Sequence, residues 1–134
     1  MKTAFLYAGQ GSQHPGMGAD LYEAYPEFRA VLDSAEVGFD LKTVSFTDPD
    51  GVLNQTEYTQ PCMVAFAAGM TAILAGKGIR PDYAAGLSLG EYSALCAAGV
   101  FTAKQAVELA AFRGRAMAAA AAGVGRGVGG RGGF

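Results

Sequence analysis

The sequence has 134 residues, of which 51% are hydrophobic and 16% are charged, with a net charge of −2 at pH 7. This length and apolar content predict one domain with a real core and exclude a disordered chain. Two of the basic residues, Arg126 and Arg131, lie in the C-terminal segment, so the body of the chain is acidic, which argues against nucleic acid as a partner.

Short apolar runs alternate with helical patterns along the chain. Thr59 is expected to cap the longest helix, and Thr102 with Gln105 fits a capping box at the start of the last one. This alternation predicts the α/β class, with a parallel sheet and flanking helices. The predicted elements are a strand over 2–8, a glycine loop over 9–13, a helix over 21–37 whose second half begins at Pro26, a loop with short elements over 39–54, a helix over 60–75, a strand over 82–86, a helix over 89–98 and a helix from the capping box to about 120.

The longest run without a charged residue, 58–76, is long enough to raise the question of a membrane helix. It contains Gln60, Pro61 and two glycines and is rich in alanine, which favours a helix buried in a globular core. The apolar stretch near the N-terminus, 4–8, is shorter than a signal-peptide core, so neither secretion nor a membrane partner is expected.

The two cysteines and the single histidine limit the kinds of metal and disulfide sites that the chain can form. Cys62 and Cys96 form no C-x-x-C pair, so neither a zinc site nor a disulfide framework is expected. A reducing, cytoplasmic setting follows as the default.

The segment 123–134 differs from the rest in composition, because it is mostly glycine with two arginines. Such a segment cannot bury enough surface to offset its ordering entropy, so a flexible linker or basic tail is expected. An RNA-binding Gly/Arg tract is one alternative, and translation out of frame in GC-rich DNA is another. The chain is therefore divided into a body over 1–122 and a Gly/Arg-rich tail over 123–134.

The sequence Gly86-Leu87-Ser88-Leu89-Gly90 lies between a predicted strand and a predicted helix, the context in which G-x-S-x-G forms a nucleophile elbow. A sharp turn there would present the Ser88 hydroxyl at a helix N-terminus, where developing negative charge is favoured. The backbone N–H of Leu89 would then point at an oxyanion. The pattern favours a nucleophilic serine, and the alternative is a strand–turn–helix junction with an idle serine.

A second glycine-rich turn, Gly9-Gln10-Gly11-Ser12-Gln13, follows the first predicted strand. If the two strands are parallel neighbours, this turn lies beside Ser88 at one edge of the sheet. The N–H of Gln10 would supply a second oxyanion donor there. The alternative is a phosphate-binding loop, although the turn lacks the Lys-Ser/Thr of a P-loop and the glycine spacing of a dinucleotide site.

Three further side chains are candidates. A serine acyltransferase or hydrolase needs a base, and His14 is the only imidazole, although a surface histidine before a proline is the favoured interpretation. Arg113 or Arg115, on the last predicted helix, would bind a carboxylate bidentately if it faced the site. Both arginines fit a solvent-exposed position as well, and the sequence pattern does not choose between them.

Taken together, several motifs of this sequence closely resemble those of the malonyl-CoA:acyl carrier protein transacylases. The resemblance extends over about 2–123, in order and with compatible spacing. It implies an α/β-hydrolase-like acyltransferase large subdomain that moves a malonyl group from malonyl-CoA, a substrate rather than a cofactor, to the thiol of acyl carrier protein in fatty acid synthesis. The matching motifs are the turn over 9–13 with Gly16-Met17-Gly18, Thr59-Gln60-Pro61, the stretch 86–95 and Arg113-Gly114.

The same resemblance implies roles for individual residues. Ser88 matches the nucleophile that forms a malonyl-serine ester, and Gln10 and Leu89 match the residues whose N–H groups form the oxyanion hole. Arg113 matches the arginine that pairs with the malonyl carboxylate. Leu87 stands where many members have a histidine.

This sequence also departs from the family's pattern. The family's domain is more than twice as long, and its catalytic histidine and the glutamine that orients it lie downstream of these residues. The sequence therefore predicts an acyltransferase domain truncated before the ferredoxin-like small subdomain, with little or no turnover. Unpaired sheet edges and apolar faces predict poor solubility, and a frameshift near 123 is the hypothesis for the tail.

Three other functions stay open at this point. A serine esterase or thioesterase could use a similar elbow but would need no carboxylate clamp. An acyltransferase domain of a polyketide synthase would carry the same motifs, although a start at Met1 just before the first strand favours a free-standing enzyme. A non-catalytic fragment would bind through its Gly/Arg tail.

Overall fold

The structure is a computed structural model that describes residues 1–127, so the last part of the predicted tail, 128–134, lies outside the described residues. Within the described part, two short strands are joined by a helical crossover and followed by two more helices. In chain order the elements are β1 (Ala4–Tyr7), α1 (Ala19–Ala24), α2 (Pro26–Ser34), α3 (Leu41–Phe46), α4 (Thr56–Gly76), β2 (Tyr83–Gly86), α5 (Gly90–Ala97) and α6 (Ala103–Gly127).

The two strands form a parallel pair, as the alternation of strands and helices predicted. Ala4 lies opposite Tyr83, and the register continues to Tyr7 opposite Gly86. Asp82 closes the start of the pair, because its N–H donates to the Thr3 carbonyl at 2.8 Å and its carboxylate accepts the Thr3 N–H at 2.7 Å. Both strands are shorter than predicted, and their carboxyl ends lead into the two glycine-containing turns at one edge of the sheet.

The predicted helix over 21–37 is divided into α1 and α2. Tyr25 separates them with extended backbone angles, φ −124° and ψ 115°. The cause is Pro26, because a proline ring disfavours the helical conformation of the residue before it while fitting the first turn of the following helix. A short helix, α3, also forms inside the predicted 39–54 loop, where the Asp40 side chain accepts the N–H groups of Lys42 and Thr43.

Helix α4 begins earlier than predicted, and the prediction that Thr59 caps it is wrong. The helix starts at Thr56, after Gln55. Thr59 is fully buried, and its hydroxyl donates to the carbonyl of Leu53 and, at 3.0 Å, to that of Gln55. Thr59 is the fourth residue of the helix, whereas an N-cap stands before the first helical residue and accepts the N–H groups of the first turn.

Helix α6 opens with the predicted capping box. The Gln105 N–H donates to the Thr102 hydroxyl at 3.1 Å, and the Thr102 N–H donates to the Gln105 side chain at 3.0 Å. The helix continues to Gly127 instead of ending near 120, so the predicted division at 122/123 falls inside it. Its extension is explained by the alanine-rich run over 116–122, because alanine is the strongest helix former.

Helix α4 is the core of the fold. Within the described residues it is the one helix with the length and composition of a membrane span, but half of the relevant stretch is buried against protein. It packs against α2, α3, α5 and α6. Its buried face includes Val64 and Ala68, which meet Phe28 of α2 and Val107 of α6 in one apolar cluster. The arrangement matches the predicted buried helix.

One face of the sheet is open. Phe5 and Tyr7 are partly covered, and the Tyr7 hydroxyl lies 2.6 Å from the Thr71 hydroxyl on α4. The side chains that alternate with them point away from the helices, so that Leu6 is 80% exposed and Tyr83 64% exposed. Parallel sheets in globular proteins are normally covered on both faces.

We therefore expect a polypeptide of these 134 residues to self-associate in solution, because apolar side chains on an uncovered sheet attract a second copy. Size-exclusion chromatography with light scattering should show a mass that rises with concentration. The double variant Leu6→Lys/Tyr83→Lys should shift the distribution toward monomer. The variant Val100→Lys, at another exposed apolar residue in the connection between α5 and α6, should not. A concentration-independent monomer for the unmodified chain would contradict this expectation.

Candidate active site

Ser88 lies in the turn between β2 and α5, with its backbone in the left-handed region at φ 53°. A non-glycine residue held in this region stores about 1–3 kcal/mol of strain and is often found at functional sites. The Ser88 carbonyl accepts the Glu91 N–H at 3.0 Å, and helix α5 begins two residues after the serine, at Gly90. The side chain is exposed at the carboxyl edge of the sheet. This is the sharp strand-to-helix turn that the G-x-S-x-G pattern predicted.

The two glycines of the pattern are required by close backbone contacts. A Cβ atom on Gly86 would lie 2.0 Å from the Gly90 carbonyl oxygen. A Cβ atom on Gly90 would lie 2.3 Å from the Tyr7 carbonyl oxygen at the end of β1. Neither contact leaves room for a side chain, so the elbow is pressed against both strands and its position relative to the sheet is fixed.

The turn over 9–13 lies directly beside the elbow, as predicted. A Cβ atom on Gly9 would be 2.9 Å from the Leu87 carbonyl oxygen, so the two turns are in backbone contact. In the described part of the chain, the N–H groups of Gln10 and Leu89 donate to no protein acceptor. The two turns that carry these unused donors are in contact and one of them holds Ser88, so both N–H groups are candidates for an oxyanion hole.

Arg113 is the charged side chain at the serine. From α6 its Nη2 donates to Ser88 Oγ at 3.1 Å, and its Nη1 donates to Gln60 Oε1 at 2.8 Å. The guanidinium carbon lies 5.6 Å from the centroid of the Tyr92 ring on α5, a cation–π contact. Two elements that are distant in sequence therefore hold one cation against the hydroxyl.

Arg115 does not reach this site. It is exposed and borders a separate surface depression with Glu57 and Glu36. With 3.6 residues per turn, side chains two positions apart on a helix point in nearly opposite directions. Helical spacing does not predict which of the two arginines faces the serine, so Arg113 is distinguished from Arg115 only by the family resemblance.

Gln60 is a further residue of the site, with no role predicted from the sequence. It is fully buried in α4, accepts from Arg113, and donates through Nε2 to the Thr56 hydroxyl at 2.8 Å. Thr56 in turn donates to the side-chain carbonyl of Gln10 at 2.8 Å. The only sequence signal was its place in the Thr59-Gln60-Pro61 motif, which says nothing about the direction of its side chain.

His14 is not placed beside Ser88. Its ring is exposed, its Nδ1 lies 3.3 Å from the carbonyl of Pro15, and it borders the cleft between β1 and α4. Among the described residues, the one side chain that hydrogen-bonds Ser88 Oγ is Arg113, which is a donor. A group that would accept the serine proton is therefore not among the described contacts of Ser88.

The two cysteines do not compete with Ser88 as nucleophiles. Burial raises the pKa of the Cys62 thiol to about 11, so this group is a protonated thiol at neutral pH. Burial also raises the pKa of Cys96, which is half-buried on α5. In the part of the chain that the structure describes, no three His, Cys, Asp or Glu side chains come together as a metal-binding group.

Comparisons with known proteins identify the family. The profile of the family described as "Acyl transferase domain" matches residues 4–132. A malonyl CoA-acyl carrier protein transacylase of Staphylococcus aureus is 42% identical over 121 residues, which is 89% of this chain and 39% of that protein.

Solved structures agree. The crystal structure of MCAT from Streptococcus pneumoniae has a TM-score of 0.84 and 49% identity, covering 90% of this chain and 40% of that one. A malonyl-transacylase solved in complex with its type II PKS acyl-carrier protein has a TM-score of 0.79 and 40% identity, covering 86% and 38%. This chain therefore spans about two-fifths of the length of these relatives. With an elbow serine, a neighbouring glycine turn and a profile match along nearly its whole length, the chain belongs to the acyl transferase domain family.

Proposed function

We propose that these residues form the nucleophile, oxyanion and carboxylate-binding part of a transacylase that moves a malonyl group from malonyl-CoA to the thiol of acyl carrier protein. The observation that carries the proposal is the guanidinium of Arg113 beside the Ser88 hydroxyl, with a neutral amide as its other partner. In the described residues the ion pairs are Lys42–Asp33 and Lys104–Glu108, so the charge of Arg113 is not balanced by a protein carboxylate. A cation in this position suits an acyl group that carries its own carboxylate.

In the proposed reaction, Ser88 Oγ attacks the thioester carbon of malonyl-CoA while the malonyl carboxylate binds Arg113. The carbonyl oxygen becomes an oxyanion, for which the free N–H groups of Gln10 and Leu89 are the donors. Collapse of the tetrahedral intermediate breaks the carbon–sulfur bond and leaves a malonyl-serine ester. The proton lost by Ser88 goes to a general base and from there to the departing coenzyme A sulfur.

The second half of the reaction reverses these steps with a different thiol. The carrier protein's thiol attacks the ester carbonyl, Ser88 leaves with a proton, and the malonyl group remains on the carrier. Support for this partner comes from the relatives, one of which was solved with its acyl-carrier protein. We further propose an enzyme that needs no cofactor, because malonyl-CoA and the malonylated carrier are both thioesters and the transfer involves no change in oxidation state. The two free cysteines favour a cytoplasmic setting.

The binding of Arg113 to a carboxylate separates this proposal from an esterase or thioesterase. We expect calorimetric titration to show tighter binding of malonyl-CoA than of acetyl-CoA, which lacks the carboxylate. Arg113→Ala should reduce this preference by about tenfold or more, since hydrogen bonds to charged groups contribute about 1.5–3 kcal/mol.

Arg115→Ala is the matched control, because it removes the same charge from the same helix on the opposite face, and it should preserve the preference. Equal affinity of the unmodified protein for the two thioesters would refute the carboxylate clamp and favour a thioesterase. If Arg115→Ala lost the preference for malonyl-CoA to the same extent as Arg113→Ala, the preference would come from the net charge of the protein and not from a carboxylate-binding site. A polyketide synthase domain would pass the same test, and its carrier protein would distinguish it.

A further inference from the structure

A continuous hydrogen-bond chain links Arg113 to the glycine turn. Arg113 donates to Gln60, Gln60 donates to Thr56, and Thr56 donates to the side chain of Gln10, each at 2.8 Å. The second donor contact of the Gln60 amide is the Met117 sulfur at 3.3 Å. All three links run in the same direction, away from the cation, and such chains strengthen one another by polarisation.

The direction of the chain fixes the orientation of the Gln60 amide. If the amide were reversed, its NH2 group would face the Arg113 guanidinium, and two donors would meet without an acceptor. The reversed carbonyl would be satisfied only if the Thr56 hydroxyl turned away from Gln10 to donate to it. Because the side chain of Gln60 is fully buried on α4, water cannot accept from the reversed NH2 group. Gln60 therefore holds Nη1 of Arg113 in one place, and Nη2 is directed at Ser88.

The neutrality of Gln60 matters as much as its orientation. A buried carboxylate at this position would hold Arg113 equally well and would pair with its charge, so a substrate carboxylate would have to compete for the guanidinium. An apolar residue would leave the charge free but its direction unfixed. An amide carbonyl accepts from a guanidinium and orients it without neutralising its charge.

We propose that Gln60 is a positioning and specificity-determining residue, which directs Arg113 toward the substrate carboxylate while leaving its positive charge uncompensated. This inference rests on the proposed function of Arg113. It assigns to Gln60 the preference for acyl groups that carry a carboxylate, although Gln60 itself lies behind Arg113 and touches no reacting atom.

Two substitutions test the two halves of the proposal. Gln60→Glu keeps the acceptor for Arg113 but adds a negative charge, and we expect it to reduce the ratio of malonyl-CoA to acetyl-CoA affinity by about tenfold or more. Gln60→Met has a similar length and no acceptor, and we expect it to reduce the same ratio by a smaller factor. Acetyl-CoA affinity should stay within about twofold in both variants, which also shows that the site has folded.

The matched control is Thr59→Val, the neighbouring buried polar residue of the same helix. Its hydroxyl bonds only to the backbone carbonyls of Leu53 and Gln55, and it makes no hydrogen bond to Arg113. This variant should lower the midpoint of thermal unfolding while leaving the affinity ratio unchanged. If the role of Gln60 were purely structural, its variants would lower the affinities for malonyl-CoA and acetyl-CoA together and would also leave the ratio unchanged.

The outcomes separate this inference from the proposed function. If the unmodified protein shows no preference for malonyl-CoA, the function proposed for Arg113 fails. If that preference exists, is lost in Arg113→Ala and survives unchanged in Gln60→Glu, then the proposed function stands and the inference about Gln60 is overturned. If Gln60→Glu does not fold, an unchanged ratio in Gln60→Met overturns it as well.

Discussion

We expect Gly86→Ala to remove the cooperative unfolding transition of the protein. The new methyl carbon would lie 2.0 Å from the Gly90 oxygen and 2.6 Å from the Glu91 nitrogen, and both neighbours are backbone atoms that no rotamer change can move. Overpacking against movable side chains costs about 1–3 kcal/mol. The free-energy cost of displacing the start of α5 from the sheet should exceed that range. Such a cost is a large share of the about 5–15 kcal/mol that stabilises a typical domain.

The measurement is urea unfolding followed by circular dichroism. Gly123→Ala is the control, because it adds the same methyl group to a glycine of α6 with no atom within 4 Å. It should raise the free energy of unfolding by up to about 1 kcal/mol, since alanine is the better helix former. A Gly86→Ala variant with an unchanged midpoint would show that the elbow is not packed against the strands in the way described.

A polypeptide of these 134 residues should malonylate carrier protein at a rate at least about a hundredfold below that of the longer S. aureus relative. General bases contribute about 10²–10⁴-fold, and the described hydrogen bonds give Ser88 Oγ a donor, Arg113, in place of a base. The measurement is mass spectrometry of the carrier protein after incubation with malonyl-CoA. Any slow malonyl adduct on the protein itself should disappear in Ser88→Ala.

His14→Ala is the decisive comparison for this prediction, because His14 is the only histidine of the sequence. Its ring contacts the Pro15 carbonyl and makes no hydrogen bond to the serine, so the variant should leave the residual rate unchanged. A rate close to that of the longer relative that collapses in His14→Ala would show that this imidazole reaches Ser88 after all.

Much of the architecture could be predicted from local patterns. The order of strands and helices, the parallel pairing and the turn at Ser88 follow from apolar runs that end at glycines and from helical spacing. The break at Tyr25 does not follow from helical spacing, which continues across Pro26; it follows from the restriction that a proline places on the residue before it. The cap predicted at Thr59 is wrong because threonine is a favoured N-cap residue wherever it stands near a helix start, whereas the burial of this side chain depends on tertiary packing.

In the site, too, some features follow from local sequence and others only from the fold. Ser88 and the donors at Gln10 and Leu89 are placed by backbone geometry, which a short motif encodes, and their roles remain predictions. The choice of Arg113 over Arg115 depends on the rotation of α6 about its axis, and the contribution of Gln60 depends on how α4 meets α6. Neither is a property of a local stretch of sequence, so only the fold brings these side chains together.

The backbone contact between Gly9 and Leu87 has a consequence for mutational tolerance. The predicted oxyanion donors are main-chain groups, and any residue except proline supplies the same N–H. The side chain of Leu87 is 78% exposed, so a residue of different size or polarity can occupy this position without moving the donors. Substitution is therefore open at Leu87, whereas Gly9 and Gly86 beside it admit almost no variation, because a Cβ atom on either would meet backbone atoms.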